Sequence, residues 1–328
     1  MQTRRAGRSG LLVSRLGLGT LTWGRDTSPQ QARALVRAFH QAGGTLIDTA
    51  PAYGNGLAEK IIGKLIHTDL HRKDLVIATK GGFGVRDGKR VVDTSRGALL
   101  NDLHESLRRL HTDHVDLWQV HAWGEAPLEE TLDALDQAVT QGLARYVGIS
   151  NFIGWQTATA ATWQQAIPGR AHLVTSQVEY SLLSRRAEIE VIPAARAHDM
   201  GVLPWSPIGR GVLTGKYRDG IPRETRAATE HFSWFVEPLL GEKSRAITDA
   251  VCRAADGLGL TPEQVALMWV RDAPGVTAPL LGARTPEQLQ PYLEVEDKTL
   301  PPEIISALDD VSGGPNLGRS DELGVPHA

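Results

Sequence analysis

Short apolar segments alternate with longer amphipathic segments along most of the chain. The apolar segments are mostly continuous rather than alternating in polarity, as is typical of parallel strands buried on both faces. Eight of them predict strands: Leu16–Thr20, Thr45–Thr49, Leu75–Thr79, Val115–Val120, Tyr146–Ile149, Leu173–Val178, Val202–Trp205 and Val276–Leu281.

Apolar positions at helical spacing lie between these strands. The clearest helix start is Ser28-Pro29, a capping residue followed by proline, with Ala32, Leu35 and Phe39 on one face. The other predicted helices are Leu57–Ile66, Ser95–Leu110, Leu128–Gln141, Trp155–Ala166, Arg185–His198, Lys243–Leu258 and one that begins at Thr261. Eight strand–helix units over about 250 to 300 residues predict an α/β fold, the (β/α)8 TIM barrel, with its site at the carboxyl ends of the strands.

Three segments stand outside this alternation. Residues 2–19 include two short strands around a turn at Gly7–Gly10, which predicts an N-terminal β-hairpin. Residues 217–242 form a long loop after the seventh strand, and loops of this length are typically lids or binding loops. We expect one barrel domain over residues 1–312 and a polar, mobile tail over residues 313–328.

A doubly wound sheet is the alternative α/β fold. Its dinucleotide fingerprint needs three glycines between the first strand and a helix. Gly17 and Gly19 supply two of them without a third, and Gly82-Phe83-Gly84 is also incomplete. No P-loop is present either. The pattern therefore favours the barrel.

The composition narrows the class of protein. The 328 residues are 41% apolar and 22% charged, with a formal net charge of -3, so there is no global basic field for nucleic acid. Cys252 is the single cysteine, which excludes an internal disulfide framework and suits a reducing cytosol. No signal peptide and no uncharged apolar run of about 18 residues is found, so we expect a cytoplasmic protein without a membrane span.

Four reactive side chains follow predicted strands. Asp48, Lys80 and His121 end the second, third and fourth strands, and Tyr53 lies just beyond Asp48. A nearby ammonium favours a phenolate, so Lys80 is expected to lower the pKa of Tyr53, and a carboxylate paired to Lys80 keeps it charged. Together with an imidazole, such a set can donate a proton to an oxyanion developing on a carbonyl.

Each of these residues also has a simpler interpretation. A tyrosine after a strand is often a packed aromatic, and a lysine or aspartate at a strand end is often a solvated or structural charge. A histidine after an apolar strand is usually a satisfied core histidine. The functional interpretation depends on the joint occurrence of Asp48, Tyr53, Lys80 and His121 on successive barrel strands.

The sequence resembles the aldo-keto reductase superfamily across nearly its whole length. The segments that carry the resemblance are Leu16–Thr20, Asp48–Tyr53, Lys80, Asp113–His121, Gly148–Asn151, Gln177–Leu183, Trp205–Lys216 and Leu281–Gln288. The resemblance implies a (β/α)8 barrel that binds a nicotinamide cofactor without a Rossmann fold. It also implies Tyr53 as general acid, with Asp48, Lys80 and His121 as its catalytic partners.

The same resemblance implies a set of cofactor-binding residues. Ser150, Asn151 and Gln177 would hydrogen-bond the carboxamide of the nicotinamide, and Trp205 would stack on its ring. The segment Ser206–Lys216 would wrap the pyrophosphate, its glycines letting backbone N–H groups approach. The full implied set is Gly19, Thr20, Asp48, Ser150, Asn151, Gln177, Trp205, Ser206, Pro207, Gly209, Gly211, Leu213, Gly215, Lys216, Gly282, Arg284 and Gln288.

A helix start near the end of the barrel predicts an anion site. Thr285-Pro286 is a cap followed by proline, and Arg284 precedes it, so a phosphate there would meet backbone donors and a bidentate cation. This indicates NADPH rather than NADH, with Lys216 or Arg218 as helpers. A solvated arginine at a helix start is the alternative. The chain has Tyr292 where the family commonly has an adenine-contacting asparagine.

Aromatic residues in loops on the catalytic face predict an apolar substrate pocket. Its predicted members are Trp23, Tyr53, Phe83, His121, Trp123, Trp234 and Phe235, and packing between loops is the alternative for the aromatics. His111 and His114 could supply two metal ligands, but further ligands are missing, so we expect a solvated loop and no metal site.

The sequence thus predicts an NADPH-dependent carbonyl reductase acting on a small-molecule aldehyde or ketone. One alternative is a nucleotide-binding regulatory protein that resembles the channel β subunits of the superfamily. Another is a Schiff-base lyase with Lys80 as nucleophile. The sequence does not predict the carbonyl substrate or an oligomeric state.

Overall fold

The computed structural model describes residues 1–86 and 89–313. Within them, eight parallel strands close into a barrel in chain order, the last pairing with the first. These strands are Gly17–Gly19, Leu46–Asp48, Val76–Gly81, Val115–Val120, Ala144–Ser150, Leu173–Glu179, Gly201–Trp205 and Leu280–Leu281. The predicted (β/α)8 barrel is confirmed, and the doubly wound sheet is excluded.

Helices surround the barrel, with boundaries close to those expected from the pattern. They are Pro29–Gln41, Leu57–Thr68, Arg96–Leu110, Leu128–Thr140, Gly154–Ala166, Val191–Ala197, Glu242–Leu258, Pro262–Arg271, Pro286–Leu293 and Pro302–Ser312. The first begins as predicted, because the Ser28 side chain accepts from the N–H of Gln31 and the Gln31 side chain accepts from the N–H of Ser28. The last helix, from Pro302, was not predicted.

The prediction of one helix over Arg185–His198 is wrong. Residues Arg186–Glu188 form a separate 3-10 turn, and the α-helix covers only Val191–Ala197. Pro193 explains the break, because in a longer helix it would leave the carbonyl of Ile189 without a donor and its ring would clash there. Near the start of a helix, proline is tolerated.

The eighth strand is shorter than predicted and one hairpin was missed. Only Leu280–Leu281 pair as a strand, while Val276 makes an isolated bridge to Val202. Pro279 lies between these two contacts and has no N–H for the ladder. Beyond the third barrel strand, Phe83–Arg86 and Lys89–Val92 form an antiparallel hairpin.

The N-terminal hairpin closes one end of the barrel and leaves the other for the site. Thr3–Arg5 pairs antiparallel with Leu12–Ser14, as predicted. Ala6, Leu11 and Val13 are buried against apolar residues of the barrel strands, among them Leu46, Ala78, Leu117, Val174, Leu203 and Leu280. This apolar plug leaves the carboxyl ends of the strands as the accessible end.

The long loop after the seventh strand is confirmed and has its own small core. It contains a short helix, Ser233–Val236, flanked by 3-10 turns at Arg226–Ala228 and Glu237–Leu239. Tyr217, Ala227 and Val236 are buried together with Val212. The loop is therefore a packed substructure beside the catalytic end.

Two further predictions concern the chain as a whole. The predicted tail, residues 313–328, lies outside the described residues except for Gly313. The single domain over residues 1–312 stays a prediction. In the described ranges, no helix has the length and apolar character needed to cross a membrane.

Candidate active site

The barrel brings the four predicted reactive side chains into one cluster. Asp48 ends the second strand, Lys80 lies near the end of the third and His121 follows the fourth, while Tyr53 begins a 3-10 turn. The Lys80 Nζ donates to Asp48 Oδ2 over 2.7 Å and to Tyr53 Oη over 3.2 Å. It also donates to the Thr49 carbonyl over 3.0 Å, so all three ammonium protons have acceptors.

The surroundings of the cluster set its charges. Burial acts to lower the pKa of Lys80, but the Asp48 carboxylate and the Tyr53 phenol outweigh it, and the pKa is raised. Burial raises the pKa of Tyr53 despite the opposing effect of Lys80. Burial, with a contribution from Lys80, holds the pKa of His121 well below its usual value. The cluster thus contains an ammonium, a protonated phenol and a neutral imidazole.

The expected direction of the Tyr53 shift is wrong for this structure. Sequence reasoning counted only the ammonium of Lys80, which lowers the pKa of a neighbouring phenol. Desolvation of the phenol acts in the opposite direction and is the larger effect. The structure therefore keeps the proton on Tyr53 until a change at the site favours the phenolate.

Asp48 is also held from the far side of the barrel. Gln177, on the sixth strand, donates its side-chain N–H to Asp48 Oδ1 over 2.8 Å, and Lys80 binds the other oxygen. Asp48 is only 2% exposed. It is therefore an anchor for two neighbouring groups rather than a proton donor.

Beside this cluster, Asn151 contacts residues at the ends of the fourth, fifth and seventh barrel strands. Its side-chain amide donates to the His121 carbonyl over 3.0 Å and to the Ser150 hydroxyl over 3.1 Å. Its oxygen accepts from the indole N–H of Trp205 over 3.0 Å. The backbone N–H of Asn151 also donates to the Gln177 carbonyl over 2.9 Å, so the residues predicted to bind a nicotinamide carboxamide and ring lie together.

A cleft of about 930 Å³ runs outward from Tyr53 and His121 to Arg284 and Gln288. The predicted site residues that border it are Gly19, Thr20, Asp48, Tyr53, Phe83, His121, Asn151, Gln177, Trp205, Ser206, Pro207, Gly211, Lys216, Trp234, Phe235, Gly282, Arg284 and Gln288. Those that do not border it are Trp23, Lys80, Trp123, Ser150, Gly209, Leu213 and Gly215.

Two of the predicted pocket aromatics have other positions. Trp23 is fully buried, so its side chain cannot line the cleft, and the packing alternative holds for it. Trp123 packs edge-on against Phe152 and Trp155, at ring distances of 5.1 and 5.3 Å. The position of an aromatic residue in the sequence did not predict whether its ring borders the cleft or fills the space between loops.

Other aromatics form the mouth of the cleft. The Phe83 ring lies 5.1 Å from His121, and the Phe235 ring stacks on Trp205 at 6.2 Å. Phe232 and Trp234 border the same cleft. The apolar surface over the four reactive groups therefore comes from the 83–92 hairpin, the seventh strand and the 217–242 loop.

Arg210 fastens the 217–242 loop to the barrel. Its guanidinium binds Glu179 at the end of the sixth strand through two hydrogen bonds, of 2.6 and 2.7 Å. It also donates to the Phe235 carbonyl over 2.5 Å and lies 4.2 Å above the Phe235 ring centre. On the opposite side, His231 contacts Asp26 over 2.9 Å. The loop is thus held at Phe235 and at His231 to two separate parts of the barrel.

The segment after the seventh strand turns tightly at the floor of the cleft. Ser206 and Arg210 both have a positive φ, which costs about 1 kcal/mol for a residue with a side chain. Gly209 also has a positive φ, and a Cβ there would lie 2.7 Å from Leu183. Most residues of this strained turn, Ser206–Ile208, Arg210 and Gly211, border the cleft.

Positive charge collects at the far end of the cleft. Lys216, Arg226 and Arg284 all border it. Burial, reinforced by the two guanidinium groups, lowers the pKa of Lys216 to about 8, and burial with Arg284 lowers the pKa of Arg226. Across the described ranges, no carboxylate lies within ion-pair distance of Lys216 or Arg226. Three cations that disfavour one another's charge thus lie together at this end of the cleft.

The predicted helix start lies beside these cations. Thr285 caps Pro286–Leu293 by accepting from the N–H of Gln288, and the Gln288 side chain accepts from the N–H of Arg284. Arg284 also donates to the Glu224 carbonyl over 3.1 Å. Tyr292 borders the cleft from the same helix, and burial raises its pKa.

Arg226 is the main site residue that sequence reasoning missed. It lies in the 217–242 loop, where the pattern of apolar positions does not predict which side chains face the barrel. It was not singled out among the arginines of that loop. Arg218, which was named as a helper, instead pairs with Asp249 over 2.7 Å. Only the folded position of Arg226 distinguishes it from other loop arginines.

The carboxyl end of the parallel barrel thus holds a tyrosine–lysine–aspartate cluster, a histidine and a cleft bordered by three cations. Residues 15–312 match the Aldo/keto reductase family model. The chain belongs to the aldo/keto reductase family of oxidoreductases, whose members generally use NAD(P)H.

Relatives of two kinds support this assignment. The chain is 37% identical over 322 residues to a Bacillus subtilis protein named uncharacterized oxidoreductase YrpG, covering 94% of this chain and 95% of that protein. It is 33% identical to the aldo-keto reductase YhdN of the same bacterium, covering 89% and 88%. It is 34% identical to a rice protein named probable voltage-gated potassium channel subunit beta, covering 95% and 96%.

Proposed function

We propose that this protein reduces the carbonyl group of an aldehyde or ketone to an alcohol, with NADPH as cofactor and Tyr53 as general acid. The observation that carries the proposal is the hydrogen bond of 3.2 Å from the buried ammonium of Lys80 to Tyr53 Oη. When bound, the nicotinamide supplies a hydride to the carbonyl carbon. The protein's own task is to protonate the carbonyl oxygen.

Tyr53 is suited to that task because its proton is retained at neutral pH and its conjugate base has a fixed counter-ion. Burial raises its pKa in the resting site. As negative charge develops on the substrate oxygen, the phenol can release its proton and the ammonium of Lys80 stabilises the phenolate that forms. Asp48 keeps Lys80 charged and in place through the 2.7 Å contact.

His121 acts as a neutral hydrogen-bonding partner of the substrate oxygen. Its pKa lies well below the usual value, and its ring lies 6.0 Å from the Tyr53 ring, edge to face. A neutral imidazole beside the phenol orients the oxygen toward Tyr53 without competing as the acid. Phe83, 5.1 Å from His121, helps to exclude water from the proton donor.

The residues that border the cleft suit the three parts of NADPH, which are the nicotinamide, the pyrophosphate and the additional phosphate. Gln177 and Asn151 offer amide groups beside Trp205, whose ring borders the cleft. The turn at Ser206–Gly211 exposes backbone groups where a pyrophosphate would bind. Lys216, Arg226 and Arg284 would hold a third phosphate, which NADPH has and NADH lacks.

A nucleotide-binding regulatory role is the second candidate, because plant relatives named as potassium channel β subunits are 34% and 32% identical over nearly the whole chain. A protein that only binds nucleotide has no need of a buried Lys80 in contact with both Asp48 and Tyr53. The Schiff-base alternative is disfavoured, since a nucleophilic lysine must be neutral and the pKa of Lys80 is raised.

Separate titrations with NADPH and NADH, followed by a panel of aldehydes and ketones, test the proposal. We expect tighter binding of NADPH and its oxidation in the presence of at least one carbonyl compound. Tight NADPH binding without turnover of any carbonyl compound favours the regulatory role. Absence of binding to either nucleotide contradicts both.

A further inference from the structure

The hairpin formed by Phe83–Arg86 and Lys89–Val92 presents a face with both apolar and charged side chains to the cleft. Its register pairs Phe83 with Val92 and Val85 with Arg90. Directly opposed residues of antiparallel strands share a face, and so do residues two apart on one strand. Phe83, Val85 and Arg90 therefore face the same way, and all three border the cleft. Lys89 lies on the opposite face.

Arg90 is a cation at the substrate end of the cleft without an acidic partner among the described residues. Its guanidinium lies 4.0 Å above the ring centre of Trp234. The other two arginines at the mouth are paired, Arg25 with Asp26 at 2.9 Å and Arg210 with Glu179 at 2.6 Å. No carboxylate within residues 1–86 and 89–313 lies at ion-pair distance from Arg90.

Apolar surface separates Arg90 from the reactive groups. Phe83 contacts His121, and Val85 and Trp234 are 66% and 49% exposed toward solvent. Arg90 pairs with Val85, two residues along the strand from Phe83, which places its backbone roughly 7 Å beyond the level of Phe83. A carbonyl compound at Tyr53 would thus cross apolar surface before it reached the guanidinium.

We propose that the substrates of this protein are aldehydes or ketones with an apolar body and a carboxylate or other anionic group at its far end, which Arg90 binds. This inference rests on the proposed carbonyl reduction. Arg90 acts here as a specificity residue, not as part of the proton-donor cluster. Lys216, Arg226 and Arg284 serve the other end of the cleft and do not enter this contact.

Matched acid and ester substrates test the inference. The probes are 4-formylbenzoate and 3-(4-formylphenyl)propanoate, each compared with its methyl ester, with NADPH as cofactor. In Arg90→Gln, kcat/KM for the acids is expected to fall about five- to tenfold through KM, with less than about a twofold change for the esters. Arg90→Lys should retain most of the preference, because the charge is kept.

Lys89→Gln is the matched control. It removes the same charge from the same strand but from the face away from the cleft, so neither substrate class should change. Raising the ionic strength from about 0.05 to about 0.5 M should weaken reduction of the acids alone, since salt screens an exposed ion pair.

The outcomes separate this inference from the proposed function. Reduction of the esters with no acid preference, or an equal loss for both classes in Arg90→Gln, overturns the role of Arg90 and leaves carbonyl reduction standing. Reduction of other aldehydes or ketones but of neither acid overturns this inference alone. NADPH binding without turnover of any carbonyl compound contradicts the proposed function, and this inference with it.

Discussion

Lys80 donates to the phenol oxygen of Tyr53 over 3.2 Å while its other protons are held by Asp48 and the Thr49 carbonyl. The lysine is fully buried, so its charge acts on the phenol with little screening by water. The two groups respond differently to their surroundings, since the pKa of each is raised but one is thereby charged and the other neutral. This contact is the centre of the functional account.

Removing the ammonium should affect stability as well as activity. Lys80→Met leaves the buried carboxylate of Asp48 without its cation, and we expect the free energy of unfolding to fall by about 3 kcal/mol. Asp48→Asn combined with Lys80→Met should recover part of that loss but none of the activity. Urea unfolding and NADPH oxidation measured on both variants check this. Unchanged stability of Lys80→Met would show that Asp48 is not held as described.

The pH dependence of reduction follows from the two shifted groups. Tyr53 must carry its proton, and because its pKa is raised, kcat/KM should stay level at neutral pH and fall only above about 10, the ordinary value. His121, whose pKa is lowered well below its usual value, should stay neutral from about pH 6 upward. Initial rates of NADPH oxidation across this range measure the profile. An inflection at about pH 6.5 that is lost in His121→Gln would contradict the assignment of a neutral imidazole.

The sequence predicted the reactive residues well where they lie at the ends of strands that the apolar pattern predicts. Asp48, Lys80 and His121 end apolar strands, so the barrel alone brings them together. Ser28 and Thr285 were predictable helix caps for the same local reason. These positions are set by backbone geometry within a few residues, which a single sequence contains.

Positions set by packing between distant segments were less predictable. The burial of Trp23 and the direction of the Tyr53 shift both depend on neighbours far along the chain. The break before Val191 is different, because Pro193 explains it locally. Arg226 is the clearest case. Nothing local distinguishes it from Arg223, yet the fold puts Arg226 in the cleft and leaves Arg223 exposed.

Because Arg226 borders the cleft and Arg223 is exposed, variants of these two arginines form a matched pair that tests the preference for NADPH over NADH. In Arg226→Gln, the Kd for NADPH is expected to rise about tenfold and the Kd for NADH to stay within about twofold, because only NADPH carries the additional phosphate. Arg223→Gln removes an equal charge from the same loop and should change neither value. Fluorescence titration with each nucleotide measures both constants. An equal loss for NADPH and NADH would place Arg226 elsewhere on the cofactor.

The most direct test of the account is Tyr53→Phe, which removes one oxygen atom from the proton-donor cluster and keeps the ring. Binding of NADPH should be unchanged, because Tyr53 lies at the reactive end of the cleft. Single-turnover oxidation of bound NADPH by a saturating aldehyde should slow by about 100- to 10,000-fold. Unchanged NADPH binding with this loss of rate is the predicted result, and full turnover in Tyr53→Phe would contradict the assignment of Tyr53 as the general acid.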